Sequence, residues 1–279
     1  AAAHAEWQTR LEAMGEGRRK EFLRIQSGEP HRRLPNLIRQ IKKDASENAP
    51  KMATRKASEA VLKAINPVMK ETFGGSADLT GSNNTLTDDM GVHSPENRKG
   101  RYMYYGIREH GMAAAMNGMA LHGGTRAYGG TFMCFTDYAR GAMRLSALMG
   151  VPVTYVMTHD SIGLGEDGPT HQAVEQTATL RYIPNMDVWR PCDSVESTVS
   201  WARSIERKDG PSTLIFSRQN LPFQKRNAAT IKLIDRGGYI LSEASDGKPQ
   251  AIIIATGSEI GLAMSAQQVL AESGISVRV

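Results

Sequence analysis

Two cysteines in 279 residues, Cys134 and Cys192, exclude a disulfide framework and a thiolate metal site. No apolar run approaches the roughly 20 residues of a membrane helix; Ala251 to Ala255, the longest beside a strand signal, falls far short. The opening AAAHAEWQTR has no charged stretch followed by an apolar block, so no signal peptide is read there. These scarcities point to a reducing, cytoplasmic setting and to no membrane partner. Aromatic residues make up only 6%, yet the 40% hydrophobic share suffices for a large core and excludes disorder as the main state. Repeats and low-complexity tracts are missing too. At about 100–200 residues per domain, the length suits one large domain or one and a half ordinary ones.

The net charge of +5 is local. Residues 1–60 hold 13 Lys/Arg against 8 Asp/Glu, and the remainder balances at 21 of each. A basic segment suggests a nucleic-acid arm. Interleaved Glu6, Glu12, Glu16 and Glu21 favour solvated helix faces instead, and no nucleic-acid partner is expected. Residues 1–48, punctuated by Pro30 and Pro35, read as one or two surface helices with connections.

From residue 49 strand and helix patterns alternate. Thr54–Ile65 places Ala57, Ala60, Val61, Ala64 and Ile65 at helical spacing. Thr72 to Ala77 reads as a strand, Glu109 to Leu121 as a small-residue helix, Thr125 to Tyr128 as a strand and Asp137 to Met149 as a helix. Strands follow at Val151 to Met157, Met186 to Trp189 and Leu214 to Ser217, with a helix at Asp193 to Glu206 capped by Asp193 and Glu196. This alternation predicts an α/β fold, a mostly parallel sheet with helices on both faces. A second α/β unit starts near Arg236. It has a continuous strand at Ala251 to Thr256, a helix capped by Ser258 running through Leu270, and a strand at Ile275 to Val279. The expected division is 1–48, 49–235 and 236–279, with the last unit the beginning of a longer one.

Gly163, Gly165 and Gly168 formally spell a dinucleotide fingerprint, with Asp187 about 20 residues beyond. Glu166 and Asp167 place two negative charges where a pyrophosphate would sit, and Pro169 spoils the passage into a helix, so this reading is rejected. The wider segment says more. Thr158-His159-Asp160-Ser161 follows an apolar strand at the end where ligands bind in open α/β sheets. The loop beyond carries Glu166, Asp167 and His171, a set suited to gripping a polyhydroxylated ligand; the alternative is a solvated loop whose histidines cap helices. The spacing of His159 and His171 fits no common zinc pattern.

Arg55 and Arg218 suit a phosphate or carboxylate, or else two surface ion pairs. Phe132, Phe135 and Tyr138, at i, i+3 and i+6, fit core packing on one helix face or a pocket for a flat heterocycle. Glu109 opens an apolar helix. It is either an acid favoured by the helix dipole or a carboxyl able to hold or share a proton near neutral pH.

Taken in order, GGSADLTGSN, GIREHGM, GGTFMCFTDYA, THDSIGLGEDGPTHQ, NMDVWRPCD and FSRQNLP resemble the transketolases, specifically their middle, pyrimidine-binding domain. The resemblance runs from about Lys51 to Gly238 and continues more weakly beyond; residues 1–48 resemble the linker after a first domain. It implies a thiamine-diphosphate enzyme that moves a two-carbon ketol unit between sugar phosphates, active as a homodimer. The diphosphate and a divalent metal, Mg2+ or Ca2+, would be held by a first domain, so no metal ligand is expected in this chain and the chain alone should be inactive.

The resemblance makes Glu109 the acid on the aminopyrimidine ring and Phe132, Phe135 and Tyr138 the pyrimidine pocket, with Asp78 near the cofactor interface. His171 and Asp167 would meet sugar hydroxyls at the reacting end. Arg55, Ser82, His159 and Arg218 would hold the sugar phosphate. Gly81 and Ala173 stand where relatives have Pro, which alters loop stiffness rather than chemistry. Open alternatives are another thiamine-diphosphate enzyme, such as a deoxyxylulose-phosphate synthase or a 2-oxo acid dehydrogenase β chain, a half of a split enzyme, and a non-catalytic subunit.

Overall fold

The computed structural model describes every residue except Asp246. The strands are β1 (Met52–Ala53), β2 (Thr72–Ser76), β3 (Tyr102–Tyr104), β4 (Arg126–Phe132), β5 (Thr154–Thr158), β6 (Asp187–Trp189), β7 (Ser212–Phe216), β8 (Asn220–Leu221), β9 (Ala251–Ile252) and β10 (Val277–Arg278). The helices are α1 (Ala2–Glu12), α2 (Glu16–Gln26), α3 (Leu34–Asn48), α4 (Thr54–Ile65), α5 (Thr80–Asn83), α6 (Glu109–His122), α7 (Thr136–Met149), α8 (Gln176–Arg181), α9 (Ser194–Glu206), α10 (Ala228–Leu233) and α11 (Ile260–Glu272).

Six strands form one parallel sheet in the order β3-β2-β4-β5-β7-β6. Every residue of β5 and β7 is buried, because helices cover both faces and no solvated face is left to impose an apolar–polar alternation. On one side α6 and α7 pack Met112, Met116, Ala139 and Met143 against Tyr155 and Met157. On the other, α3, α4 and α9 pack Leu34, Ile38, Val61, Leu62, Ile65 and Trp201 against Tyr128, Val156 and Leu214. Gly129 and Gly130 of β4 lie where a Cβ would collide with Met116 and Met112 of α6 and crowd Asn83 of α5. Their bare backbone lets both helices approach the sheet.

Residues 1–48 form three helices rather than one or two. The third is not a solvated surface helix: Leu34, Ile38 and Ala45 lie on one stripe and are buried against the domain. Most bases of this segment that pair do so with acids on the same helix (Lys20 with Glu16, Lys43 with Glu47), while Arg24 reaches Glu71 beside β2 at 2.8 Å.

The α9 cap forms as expected, with Asp193 accepting from the amides of Val195 and Glu196; Glu196 reaches back one residue further, to the amide of Cys192. Buried Arg226 closes this end by pairing with Asp193 at 2.6 Å.

Two elements beyond residue 236 differ from expectation. The strand at 251 is only Ala251–Ile252, parallel to Val277–Arg278, because its ladder finds just those two partners; Ile254 stands exposed. Ser258 caps no helix. It lies in a 3-10 turn, Gly257–Glu259, that leads into α11, and its hydroxyl is engaged by Asp160 instead.

Candidate active site

A parallel sheet brings the ends of its strands to one edge, and the candidate residues collect there. Asp78 follows β2, Phe132 ends β4, His159 follows β5 and Arg218 follows β7. Arg55 joins them from the first turn of α4, where its amide bonds the Ser217 carbonyl, and one of its guanidinium nitrogens donates to the Ser82 carbonyl at 2.8 Å. Its Nε is buried with no hydrogen-bond partner. Burial first, and then the neighbouring Arg218 charge, lowers the Arg55 pKa from its ordinary value. Arg218 pairs with the exposed Glu166 at 2.9 Å. Two guanidiniums close enough for the charge of one to act on the other, one with an unspent donor, have the chemistry to bind an anion.

His159 sits between the arginines and the aromatic residues. Its ring stacks on Phe132 at 3.7 Å between centroids, and Nδ1 lies 2.9 Å from the Thr158 hydroxyl. The backbone adopts φ 62°, a left-handed conformation unusual for a side chain of this size. Burial pushes the imidazole down to about 4, with Arg55 adding to the effect and Asp167, 3.9 Å away, opposing it. The ring is therefore neutral at neutral pH and adds no third cation to the two arginines.

A depressed native pKa means that the unfolded chain binds the proton first, so the stability held by neutral His159 is complete above about pH 6.5 and is lost as pH falls toward about 4. Between pH 7 and 5 the wild-type chain should lose about 2 kcal/mol more than His159→Asn, which tolerates the left-handed backbone. Urea midpoints at the two pH values measure the difference; parallel losses would show that His159 is not held neutral.

The three aromatics do not share one helix face. Phe132 ends a strand, Phe135 lies in the 3-10 turn Met133–Phe135, and Tyr138 is in the first turn of α7. The chain reverses direction between them, so the regular spacing reflects a corner. Phe132 and Phe135 stand 6.0 Å apart and within 7° of parallel, and the His171 ring meets Phe135 edge-on at 5.3 Å. Tyr138 is exposed, 6.0 Å from Phe135.

Glu109 begins α6 and is 7% exposed, yet no hydrogen bond among the described residues reaches its carboxylate. It lies close enough to Cys134, inside the aromatic corner, to help burial and Asp137 hold that thiol at about 11. A buried carboxylate with no hydrogen-bond partner among the described residues, close to the aromatic corner, is free to bond a ligand held there. Asp78 is the outlier. It is exposed at φ 62°, one strand away, and among the described residues it makes no hydrogen bond or ion pair.

His171, Asp167 and Glu166 lie on the loop between the turn Ile162–Leu164 and α8, and no strand-to-helix passage occurs at Gly163–Gly168. Among the described residues no three His, Cys, Asp or Glu could hold a metal ion, and no helix is long and apolar enough to cross a membrane. Sequence reasoning missed Asp160, Arg190 and Ser258, which bond one another directly behind His159. Arg190 and Asp160 lay inside two of the quoted motifs, but nothing in their spacing reveals that they meet.

Two family models match the chain. Residues 50–224 match the family described as transketolase, pyrimidine binding domain, and residues 237–279 match the transketolase-like C-terminal domain. The chain is 57% identical over its whole length to the transketolase of Rhodobacter capsulatus, spanning 41% of it, and 52% identical to that of Cereibacter sphaeroides, spanning 42%. A transketolase of Pichia stipitis solved with sedoheptulose 7-phosphate superposes with a TM-score of 0.91 at 40% identity, over all of this chain and 41% of that one. A split-gene transketolase, described as an inactive β4 tetramer, shares the fold at a TM-score of 0.63 and 24% identity, over 82% of this chain and 71% of that one. The chain thus spans about two fifths of the curated relatives' length, and with most of its residues inside the pyrimidine-binding match it belongs to the transketolase family.

Proposed function

We propose that this chain supplies the pyrimidine pocket and the sugar-phosphate anchor of a transketolase, which transfers a two-carbon ketol unit from a ketose phosphate to an aldose phosphate. The observation that carries the reading is the meeting, at one sheet edge, of paired Arg55 and Arg218 with an aromatic corner beside the partnerless Glu109. Thiamine diphosphate, when bound, would supply the carbon nucleophile that accepts the two-carbon unit. Glu109 would hold and move a proton at the pyrimidine ring nitrogen, and Phe132, Phe135 and Tyr138 would orient the ring and exclude water from it. Arg55, Ser82, His159 and Arg218 would grip the sugar phosphate. Asp167 and His171 would meet the hydroxyls nearest the reacting carbon, and Asp78 would border the cofactor site.

The division into 1–48, 49–235 and 236–279 is part of this proposal, with the diphosphate and its Mg2+ or Ca2+ assigned to a domain of another chain or segment. So is a homodimer in the cytoplasm. Leu121 of α6 and Leu145, Leu148 and Met149 of α7 are exposed on helices whose opposite sides are buried, an apolar surface suited to a protein partner. A second reading, that the chain is one half of a split enzyme, draws on the fold neighbour described as a split-gene transketolase.

The test is reconstitution. With thiamine diphosphate and magnesium, the 279-residue chain alone should transfer no ketol group, and adding a separately produced diphosphate-binding domain should restore turnover. Ketol transfer by the chain alone would refute this division of labour.

A further inference from the structure

The residue after His159 faces away from the site. The Asp160 side chain is 2% exposed, and its Oδ2 accepts from Arg190 Nη2 at 2.8 Å and from the Ser258 hydroxyl at 2.9 Å. Arg190 follows β6 at the far edge of the sheet; it also donates to the Thr256 carbonyl at 2.9 Å and pairs with Glu259. Ser258 lies 3.4 Å from the hydroxyl of Ser161, which in turn accepts from the Gly163 amide and starts the turn into the Glu166–His171 loop. A four-residue segment of the C-terminal unit, Thr256–Glu259, therefore holds the side chains of Asp160 and Ser161, directly and through Arg190, on the C-terminal side of His159, where the loop departs.

The cluster is poorly made as a stabilising device. Asp160 Oδ1 and Arg190 Nε are both buried without a partner, and an incompletely bonded buried ion pair gains little over apolar packing. Its placement is the better explanation. His159 is held at φ 62°, a conformation its β-carbon disfavours, and such a backbone persists only where its surroundings fix it. On one side the Phe132 stack and the Thr158 hydroxyl fix the ring; on the other, the bonds of the Asp160 and Ser161 side chains hold the chain.

We infer that Asp160, Arg190 and Ser258 are positioning residues: through them the C-terminal unit holds His159 and the adjoining loop in place at the anion-binding end of the site. The inference rests on the proposed reading of that end as the sugar-phosphate anchor, and its test separates the two. Two mild substitutions serve, Ser258→Ala and Arg190→Lys, with Ser258→Thr as the conservative rescue.

The first measurement needs no activity. In the wild-type chain the His159 ring protons should be strongly shifted in the NMR spectrum by the face of Phe132, an assignment made by their loss in His159→Asn. In Ser258→Ala and Arg190→Lys the resonances should move toward those of a free imidazole, and in Ser258→Thr they should return. Unmoved resonances in both variants of a folded chain would overturn the latch. If Arg190→Lys fails to fold, Ser258→Ala alone decides. The second measurement uses the reconstituted enzyme. Loss of one charge-assisted hydrogen bond, Ser258 to the Asp160 carboxylate, should raise KM for a phosphorylated ketose by up to about 10- to 150-fold, with kcat and the KM of an unphosphorylated sugar little changed. Shifted resonances with equal rises in both KM values would support the latch while removing the phosphate from the reading; kcat falling without any resonance change would overturn the latch.

Discussion

Glu109→Gln in the reconstituted enzyme is expected to slow hydrogen–deuterium exchange at the C2 position of bound thiamine diphosphate by about 10²–10⁴-fold, the range lost with an essential acid–base group. Glu109 is buried at the start of α6, where the helix dipole favours a carboxylate, and no hydrogen bond among the described residues reaches its carboxylate. Leaving such a group unmatched costs free energy, and a ring nitrogen that shares its proton relieves that cost. Glutamine keeps the size and can still donate a hydrogen bond, so cofactor affinity should change far less than exchange. It has no acidic proton to pass, so the loss should appear in proton movement. Glu109→Asp tests position separately. It retains the acid but withdraws it by one methylene, and should fall between the other two. Exchange near the wild-type rate in Glu109→Gln would mean that the ring's proton comes from elsewhere.

Five of the six strands of the sheet were readable, the central ones because they are short apolar runs bounded by polar or glycine-rich turns; the edge strand β3, only three residues long, was not read. β5 and β7 appeared as Val151 to Met157 and Leu214 to Ser217, displaced by one to three residues from Thr154–Thr158 and Ser212–Phe216. An apolar stripe revealed α4, which was read with its observed bounds. α3 carried the same kind of stripe in Leu34, Ile38 and Ala45, but the basic charge around it drew attention to solvent. What periodicity could not supply was the corner at Phe132, Phe135 and Tyr138. A spacing of three residues is helical only if the backbone is, and here a strand end, a 3-10 turn and a helix start share it.

The approach of Arg55 to Arg218 was equally invisible to local pattern. They are far apart in sequence and are joined by the short pairing of Met52–Ala53 with Asn220–Leu221, two residues each, too brief to register as a strand signal. Thr54 and Ser217 complete that junction by exchanging bonds between amides and hydroxyls. The order of the motifs gave the residues; only the fold shows that Arg218 lies close enough for its charge to add to burial in lowering the Arg55 pKa. The bonds among Asp160, Arg190 and Ser258 belong to the same class of long-range contact, which no window along the sequence contains.

Arg218→Ala in the reconstituted enzyme is expected to raise KM for a phosphorylated acceptor about 10- to 150-fold, since a charge-assisted hydrogen bond contributes about 1.5–3 kcal/mol and 1.4 kcal/mol is tenfold. The loss should fall on KM rather than kcat. A phosphate remote from the bond being broken is held alike in ground and transition states, and uniform binding does not change the chemical step. In the free chain Arg218 pairs with Glu166, but Glu166 is exposed and such pairs contribute about 0–1 kcal/mol, so a dianionic phosphate should displace it readily. This gives the experiment an internal sign. Glu166→Gln removes the competitor and should lower KM slightly for the phosphorylated acceptor, opposite to Arg218→Ala. An unphosphorylated acceptor should notice neither change. Arg55→Ala should resemble Arg218→Ala but also disturb Ser82, whose carbonyl it bonds, so Arg218 is the cleaner probe. Equal losses for phosphorylated and free acceptors in Arg218→Ala would make the residue structural, and the phosphate assignment would have to be withdrawn.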